Sequence, residues 1–480
     1  MRRLLVALTV ALTICPAGRA AAADFTKTDT NVVMSDGVPI AVSYFEPAGA
    51  PPAAGWPGVV LLHGLGQTRK SSDFVNWSPN SMAAQFLAPN GYAVLTFDAR
   101  AHGESGGLFT LDGPRELADL RELLDWLTGR HPVDAQHVGA YGASYGGALV
   151  WRAAVEGFPL AAIAPAATWT DLSEALAPQG LVRAGIILGF SQLIPRDRYG
   201  PEEAALLSDA IAERNIPAIR AHLATRSTRA QLGGLRIPTF MLQGRRDFAF
   251  DANQALAAYR TVRGPKRLYL GDLGHLPAPN PPAEFDYAAV ELRAWFDRFL
   301  KGVPNGIDKR PPIEIAPDPW RSATKSFRTL PQTRTLRFSF AGRSTLSADG
   351  KVARTTKRVA RLETFGTPLV GVSFSPNSTG YKHLVAVLSA LTPAGKEIVV
   401  ADGGTDTSVV TNRAGRVTIR LQNEMTAVPR GSRLRVTLGA RSTVQNISNL
   451  VYLIPVAEGS SATVRGLTLS LPVLRTTISR

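Results

Sequence analysis

Apolar residues follow two regimes along the chain. Up to about residue 300, short continuous apolar runs alternate with segments spaced for helices. The runs Val59–Leu62, Tyr92–Phe97, Val138–Tyr141, Ala161–Ala164, Pro238–Gln243 and Leu268–Leu270 read as strands, the first of them apolar enough to be covered on both faces. Helical spacing marks Ser81–Ala88, Arg115–Thr128, Tyr145–Glu156, Asn253–Arg260 and Phe285–Leu300. Such alternation predicts right-handed crossovers and a largely parallel sheet. A hairpin precedes it over Asn31–Phe45, turning at Ser35-Asp36-Gly37. Between the fourth and fifth of these strands lies an insert of about Thr170 to Leu235, helical over Gly180–Phe190, Pro201–Ile216 and Ala218–Thr225. Its place predicts a cap over the carboxyl edge of the sheet. The apolar stretch Leu181–Phe190 reads two ways, as the lining of an acyl pocket or lipid-facing surface, and as plain packing against the main domain.

Beyond Lys301 the pattern changes. Val303-Pro304-Asn305-Gly306 and Pro311-Pro312 form a linker, and from Thr335 helical spacing vanishes. Alternating runs follow at Leu336–Phe340, Val370–Phe374, His383–Leu388, Val417–Leu421, Leu434–Leu438 and Leu450–Ile454, separated by Gly-, Pro- and Asp-rich turns. That pattern predicts an all-β sandwich of jelly-roll type. The expected organisation is a targeting segment over 1–23, an α/β domain over 24–302 with its cap near 170–235, a linker and seam over 303–330 and a β-sandwich over 331–480.

The densest chemistry sits at Gly142-Ala143-Ser144-Tyr145-Gly146-Gly147, between a short apolar strand and a helical run. Strand, tight turn and helix form the setting of a nucleophile elbow, and glycines two residues either side of the serine relieve the crowding. A nucleophile of this kind is followed in chain order by an acid and then a histidine. Arg245-Arg246-Asp247 ends the Pro238 strand, and Gly271-Asp272-Leu273-Gly274-His275 follows the Leu268 strand. Both Asp247 and His275 therefore lie past strand ends on the edge that carries Ser144, where ligand chemistry in open α/β sheets is found. A neutral hydroxyl is a poor nucleophile, so His275 is expected as general base and Asp247 as the group that orients it. Asp171 and Asp272 are the alternative acids, and Asp251 suits a helix cap better than Asp247 does. The apolar strand Pro57–Leu62 ends in His63-Gly64-Leu65-Gly66, which predicts Leu65 N–H and Tyr145 N–H as the oxyanion donors. His63 reads as a structural loop residue, and His102, His131, His137 and His222 as ordinary ones.

Composition adds a compartment and a charge asymmetry. Arg2-Arg3, the apolar stretch Leu4–Ile14 and the small residues Ala20–Ala23 have the form of a secretory signal cleaved before Asp24, too short to span a bilayer. A secreted or cell-envelope location is expected. Cys15 is the one cysteine; bulky Ile14 before it and Pro16 after it argue against lipidation. The processed chain would then hold no disulfide and no cysteine-based metal site. The formal net charge of +15 is uneven: residues 331–480 carry 20 Lys/Arg and 7 Asp/Glu. A basic sheet face could bind an anionic envelope polymer or lipid headgroups. Because Arg337, Arg416, Arg420, Arg433 and Arg435 alternate with apolar positions, a solvated face is the simpler reading. Nucleic acid fits poorly, since no aromatic–basic interleaving is present.

Several segments together resemble the cocaine-esterase-like and X-prolyl dipeptidyl peptidase family of serine hydrolases. They are Ser35–Ala41, Phe97–Gly107, Gly142–Gly147, Trp295–Gly302, Trp320-Arg321 and Arg430–Val436. The resemblance spans nearly all of the chain after the targeting segment. It implies an α/β-hydrolase sheet with a helical cap and a C-terminal jelly roll, no cofactor or metal, and triad roles for Ser144, Asp247 and His275. Many members set a tyrosine hydroxyl in the oxyanion hole, where this chain has His63-Gly64-Leu65-Gly66. An acidic pair to grip a peptide N-terminus is not evident. The expectation is an esterase or acyl hydrolase acting on a small ester, with an X-prolyl dipeptidyl peptidase acting on peptide-like substrates as the alternative. A non-catalytic envelope-binding protein is the reading from another class.

Overall fold

The computed structural model describes residues 25–71, 78–276, 278–407, 415–442 and 451–479. The expected targeting segment, with Cys15, lies outside them. The first part of the chain runs β1 (Phe25–Val33), β2 (Pro39–Pro47), β3 (Trp56–Leu62), α1 (Pro79–Met82), β4 (Ala93–Phe97), α2 (Pro114–Arg130), β5 (Val133–Ala143), α3 (Tyr145–Val155) and β6 (Ala162–Ala166). The cap helices follow: α4 (Leu172–Leu176), α5 (Ala184–Ser191), α6 (Pro201–Ile211) and α7 (Ile216–Ala224). Then come β7 (Thr239–Gly244), α8 (Ala252–Thr261), β8 (Lys266–Gly271), α9 (Pro282–Leu300), β9 (Ile313–Ile315) and β10 (Lys325–Phe327). All ten strands join one sheet in the order β1-β2-β4-β3-β5-β6-β7-β8-β9-β10. The pairings from β4 through β9 are parallel, and the two edges are antiparallel.

The apolar runs explain the layers. Val59, Leu61, Val94, Ala162 and Phe240 meet α1 and α9 on one face, while Val60, Leu95, Ala140, Ile163 and Met241 meet α2, α3 and α8 on the other. Alternate residues of a strand point to opposite faces, so a strand with both faces covered must be apolar throughout. Within the segment expected as a linker and seam, 303–330, β9 and β10 join the sheet. These strands have three residues each, too short to show a period. In the cap, the helix expected over Pro201–Ile216 breaks. Glu213 and Asn215 turn left-handed at φ 52° and 50°, and Pro217 lies in the first turn of α7, since proline fits a first turn and not a helix interior.

The C-terminal part is built from β11 (Thr333–Ser347), β12 (Val352–Arg358), β13 (Leu362–Glu363), β14 (Leu369–Pro376), β15 (His383–Leu391), β16 (Glu397–Asp406), β17 (Gly415–Arg420), β18 (Ala427–Val428), β19 (Arg433–Gly439) and β20 (Ser461–Leu474). Two antiparallel four-stranded sheets, β11-β20-β14-β17 and β12-β19-β15-β16, face each other across a core that includes Val370, Phe374, Leu388, Val436 and Leu469. A small third sheet pairs β13 with β18. The expected strand at Leu450–Ile454 is not one over the described Val451–Ile454. Val451 spends its carbonyl on Gly185 N–H of the cap at 2.9 Å, and Tyr452 exchanges hydrogen bonds with Ser442. Of the basic strand residues, Arg420 reaches Glu174 of the cap, Arg435 reaches Glu397, and Arg416 donates to Thr468.

The two parts share a core. Phe365, Val385, Met425, Val451, Tyr452, Leu474 and Ile478 of the C-terminal part pack into the same buried cluster as the cap and sheet. At the centre of this seam Arg245, fully buried at the end of β7, pairs with fully buried Glu363 of β13. Arg245 also donates to the carbonyls of Ala316 and Met425 and to Ser479 Oγ at 3.2 Å. Glu363 accepts the N–H groups of Ile478 at 2.6 Å and Ser479 at 3.1 Å. Removing one member of a buried pair strands the other charge, at a cost of about 3–5 kcal/mol, whereas replacing both with apolar groups can be neutral. Glu363→Ala is therefore expected to lower the urea midpoint strongly. The Arg245→Met/Glu363→Leu double variant should recover most of the loss. A single variant as stable as wild type would mean that the pair does not hold the seam.

Candidate active site

Ser144 sits at the turn from β5 into α3 with φ 54° and ψ −118°. A non-glycine residue at positive φ persists only where its surroundings fix it. Here Ser144 N–H donates to the Ala166 carbonyl at 2.8 Å, and Thr168 Oγ1 donates to the Ser144 carbonyl at 2.7 Å. A Cβ on Gly142 would run into the Gly146 carbonyl, and one on Gly146 would lie 2.6 Å from the His63 carbonyl. The two glycines are thus required by close backbone approach.

Beside this turn the two neighbouring strand ends deliver their loops. Ser144 Oγ lies 2.8 Å from His275 Nε2, and His275 Nδ1 lies 2.9 Å from both oxygens of Asp247. Asp247 is fully buried and accepts the N–H groups of Ala249 at 3.0 Å and Phe250 at 3.1 Å. Gly274, at φ 147°, lets the loop of His275 pass against Asp247, because a Cβ there would come within 3.1 Å of the Asp247 Cβ. The rings of Phe190, Phe248 and Phe250 surround the imidazole, their centroids 5.1–6.5 Å away. The alternative acids have other work. Asp171 caps α4 through Glu174 N–H at 3.0 Å. Asp272, whose pKa burial raises, binds Arg246 at 3.2 Å and Trp320 N–H at 3.1 Å. Asp251 caps α8 through Asn253 N–H, as its sequence position suggests.

No described residue accepts a hydrogen bond from the amide of Leu65 or from that of Tyr145. His63 explains the direction of the first. Its Nε2 accepts Ala99 N–H at 2.9 Å, so the ring proton sits on Nδ1, which donates to the Gly64 carbonyl at 2.7 Å. In a trans peptide the carbonyl and the next N–H point opposite ways. Fixing the Gly64 carbonyl toward His63 therefore aims Leu65 N–H away from it. Burial pushes the His63 pKa down to about 4 and that of His102 to about 3. His102 stacks between His63 and Tyr145 with ring centroids 4.9 and 5.4 Å apart. His131 packs on Tyr44 and Trp126, and exposed His137 pairs with Asp134.

The acid loop is gripped from two further directions that no local pattern discloses. From the C-terminal part, Met425 N–H donates to the Arg245 carbonyl at 2.8 Å, and Asn423 N–H donates to Asp251 at 2.7 Å. From the cap, fully buried Arg183 donates to the carbonyls of Phe248 and Ala249. The one sequence signal for Arg183 is an arginine within an apolar run.

Comparison with known proteins places this geometry among relatives. Residues 36–277, half of the chain, match the family model of X-Pro dipeptidyl-peptidases (S15 family). Cocaine esterase of Rhodococcus sp. (strain MB1 Bresler) is 28% identical over 346 residues, covering 61% of this chain and 58% of that protein. A putative Xaa-Pro dipeptidyl-peptidase of Bacillus anthracis is 22% identical, covering 48% of this chain and 42% of that protein. The chain thus spans about two fifths to three fifths of the length of these curated relatives. In fold it is similar to a CocE/NonD family hydrolase of Staphylococcus aureus, with a TM-score of 0.71 at 16% identity over 94% of both chains. An alpha-amino acid ester hydrolase aligns with a TM-score of 0.66 at 15% identity, over 97% of this chain and all of that one.

The neutral state of His63 has a measurable consequence. Its folded-state pKa of about 4 lies below the ordinary 6.5, so unfolding takes up a proton between those values. The stability this group contributes is complete above about pH 6.5 and is lost as pH falls toward 4. In calorimetry, the unfolding temperature of wild type should fall more steeply over that window than that of His63→Gln. Equal slopes would show that His63 is not held neutral.

Proposed function

The chain belongs to the X-Pro dipeptidyl-peptidase (S15) family, and we propose that within it this protein is a serine esterase working through an acyl-enzyme on Ser144. The observation that carries the reading is the unbroken contact from Ser144 Oγ through His275 to buried Asp247. His275 Nε2 takes the hydroxyl proton as Ser144 Oγ attacks the ester carbonyl carbon. The carbonyl oxygen becomes an oxyanion, met by Leu65 N–H and Tyr145 N–H, each such donor worth about 3 kcal/mol in the transition state. Asp247, its carboxylate fixed by two backbone N–H groups, orients the imidazole and stabilises the imidazolium. Collapse expels the alcohol, which receives the proton from His275. Water, activated by the same imidazole, then attacks the acyl-enzyme and releases the acid.

One feature favours ester over peptide substrates: the other acids on the loops past the strand ends are committed, Asp272 to Arg246 and Trp320, Asp251 to Asn253 and Asn423, and Asp171 to its helix cap. A peptide N-terminus would find no uncommitted carboxylate among these three.

Hydrolysis of nitrophenyl esters beside an Xaa-Pro nitroanilide tests the reading. Ester turnover is expected with the full chain, falling roughly 10⁴–10⁶-fold in Ser144→Ala and roughly 10⁴-fold in Asp247→Asn. Turnover of the Xaa-Pro substrate alone would replace the esterase by the peptidase. Ester turnover that survives Ser144→Ala would remove the acyl-enzyme from the mechanism.

A further inference from the structure

We propose that the cavity between the cap and the oxyanion loop is the acyl site, and that it takes uncharged apolar acyl groups larger than acetyl. This inference deepens the esterase reading and rests on it. The cavity has a volume of about 110 Å³, several times what a single water needs. Its wall includes Leu65, whose amide is proposed for the oxyanion, and Phe190, whose ring centroid is 6.0 Å from that of His275. Phe109, another wall residue, packs 5.8 Å from the ring of Tyr145, whose amide is the second proposed donor. We place the acyl chain of an ester whose carbonyl oxygen meets both amides along these residues. Beyond them, Ile187 of α5, Leu206 and Ala210 of α6 and Ile219 of α7 carry the walls into the cap.

The helix α5 reconciles the two readings of its sequence. Ala184 and Ile186 are buried in packing, whereas half-buried Ile187 and Phe190 line the cavity. Packing and pocket are two faces of one helix.

Charge decides the substrate class. The one carboxylate among the described lining residues is Glu203, which faces Arg226 at 3.4 Å and His222 at 3.6 Å. His222 in turn faces Glu202 at 3.1 Å. Glu203 is therefore already compensated, and an ammonium group on the acyl chain would enter an apolar space with no uncompensated carboxylate among its described lining residues. A cation desolvated without a partner is strongly disfavoured. The site consequently selects plain acyl groups over amino-acyl ones.

The test uses alkylsulfonyl fluorides, from methyl to octyl, on the full chain. Ser144 Oγ forms a bond to sulfur, the sulfur–fluorine bond breaks, fluoride leaves, and the hydroxyl proton passes to His275. The alkyl group then occupies the acyl position whether the natural substrate is an ester or a peptide, and intact mass reports the adduct. Labelling rates should rise roughly fourfold per methylene until the chain meets the end of the cavity. Ala210→Phe, which fills the cavity, should cut the hexyl-to-methyl rate ratio at least tenfold. Leu206→Ala, which widens it, should move the optimum to a longer chain; circular dichroism checks that both variants fold. In ester turnover, a 6-aminohexanoyl ester should react at least a hundredfold more slowly than its hexanoyl counterpart. A flat labelling profile in wild type, or one that neither folded variant alters, overturns the acyl site. Loss of ester turnover with a chain-length-dependent labelling profile would instead overturn the esterase reading and leave the site in place.

Discussion

The position of one carboxylate depends on a buried ion pair. Asp247 can orient His275 only if the loop from Arg245 to Asp251 holds still, and that loop has little regular structure of its own. Arg245 fixes its start by reaching Glu363, a residue 118 positions later in the chain, in a place where neither side chain touches water. A buried ion pair is weak evidence for stability, because desolvation of two charges offsets their attraction. What it supplies is uniqueness: any shift of the loop would leave a charge unpaired in a dry interior. Arg183 applies the same logic from the cap, by giving its guanidinium to two loop carbonyls. Sheet, cap and sandwich therefore all meet at Asp247, the carboxylate that faces His275.

A second constraint is strain at Ser144. Its positive φ is maintained by Ala166 and Thr168 and made possible by the bare α-carbons of Gly142 and Gly146. The turn holds the hydroxyl 2.8 Å from His275 Nε2. Rigid placement of this kind is what proximity catalysis requires, since near-attack geometry is lost with displacements of about an ångström.

The parts legible in the sequence share one property: their signal is local. The elbow shows because glycine spacing and a strand–turn–helix pattern fall within a dozen residues. Asp247 and His275 show because strand ends are readable from apolar runs. Chain order does not separate Asp247 from Asp171 and Asp272, since all three fall between Ser144 and His275. Asp247 is preferred because it follows a strand end and Asp251 suits the helix cap better, and the geometry brings Asp247 to the imidazole while the other two face a helix cap and Arg246. The parts not legible depend on partners far apart in sequence. The hold of His63 on Gly64 has meaning only once Ala99 arrives from β4 to fix the tautomer. Strand β20 escaped notice although its pattern alternates, because a stretch so near the chain end gives no sign that it will lie between β11 and β14. Over Val451–Ile454 an apolar run of strand type became a docking segment, its Val451 carbonyl taken by the cap.

These constraints give the C-terminal sandwich a role that its basic composition does not suggest. Arginines such as Arg420 and Arg435 are engaged with carboxylates of this chain, Arg420 across the seam to the cap. The polar contacts at the inner edge converge on the acid loop through Glu363, Asn423 and Met425. A domain that bound a polymer and otherwise hung from the rest of the chain would have no reason to bury Phe365, Met425 and Tyr452 in the core of the sheet and cap. Shared apolar burial with a charged clamp at its centre makes the sandwich part of the scaffold that holds Asp247 against His275. Cap and sandwich then divide the work: the cap walls the cavity beside Leu65, and the sandwich fixes the loop behind His275.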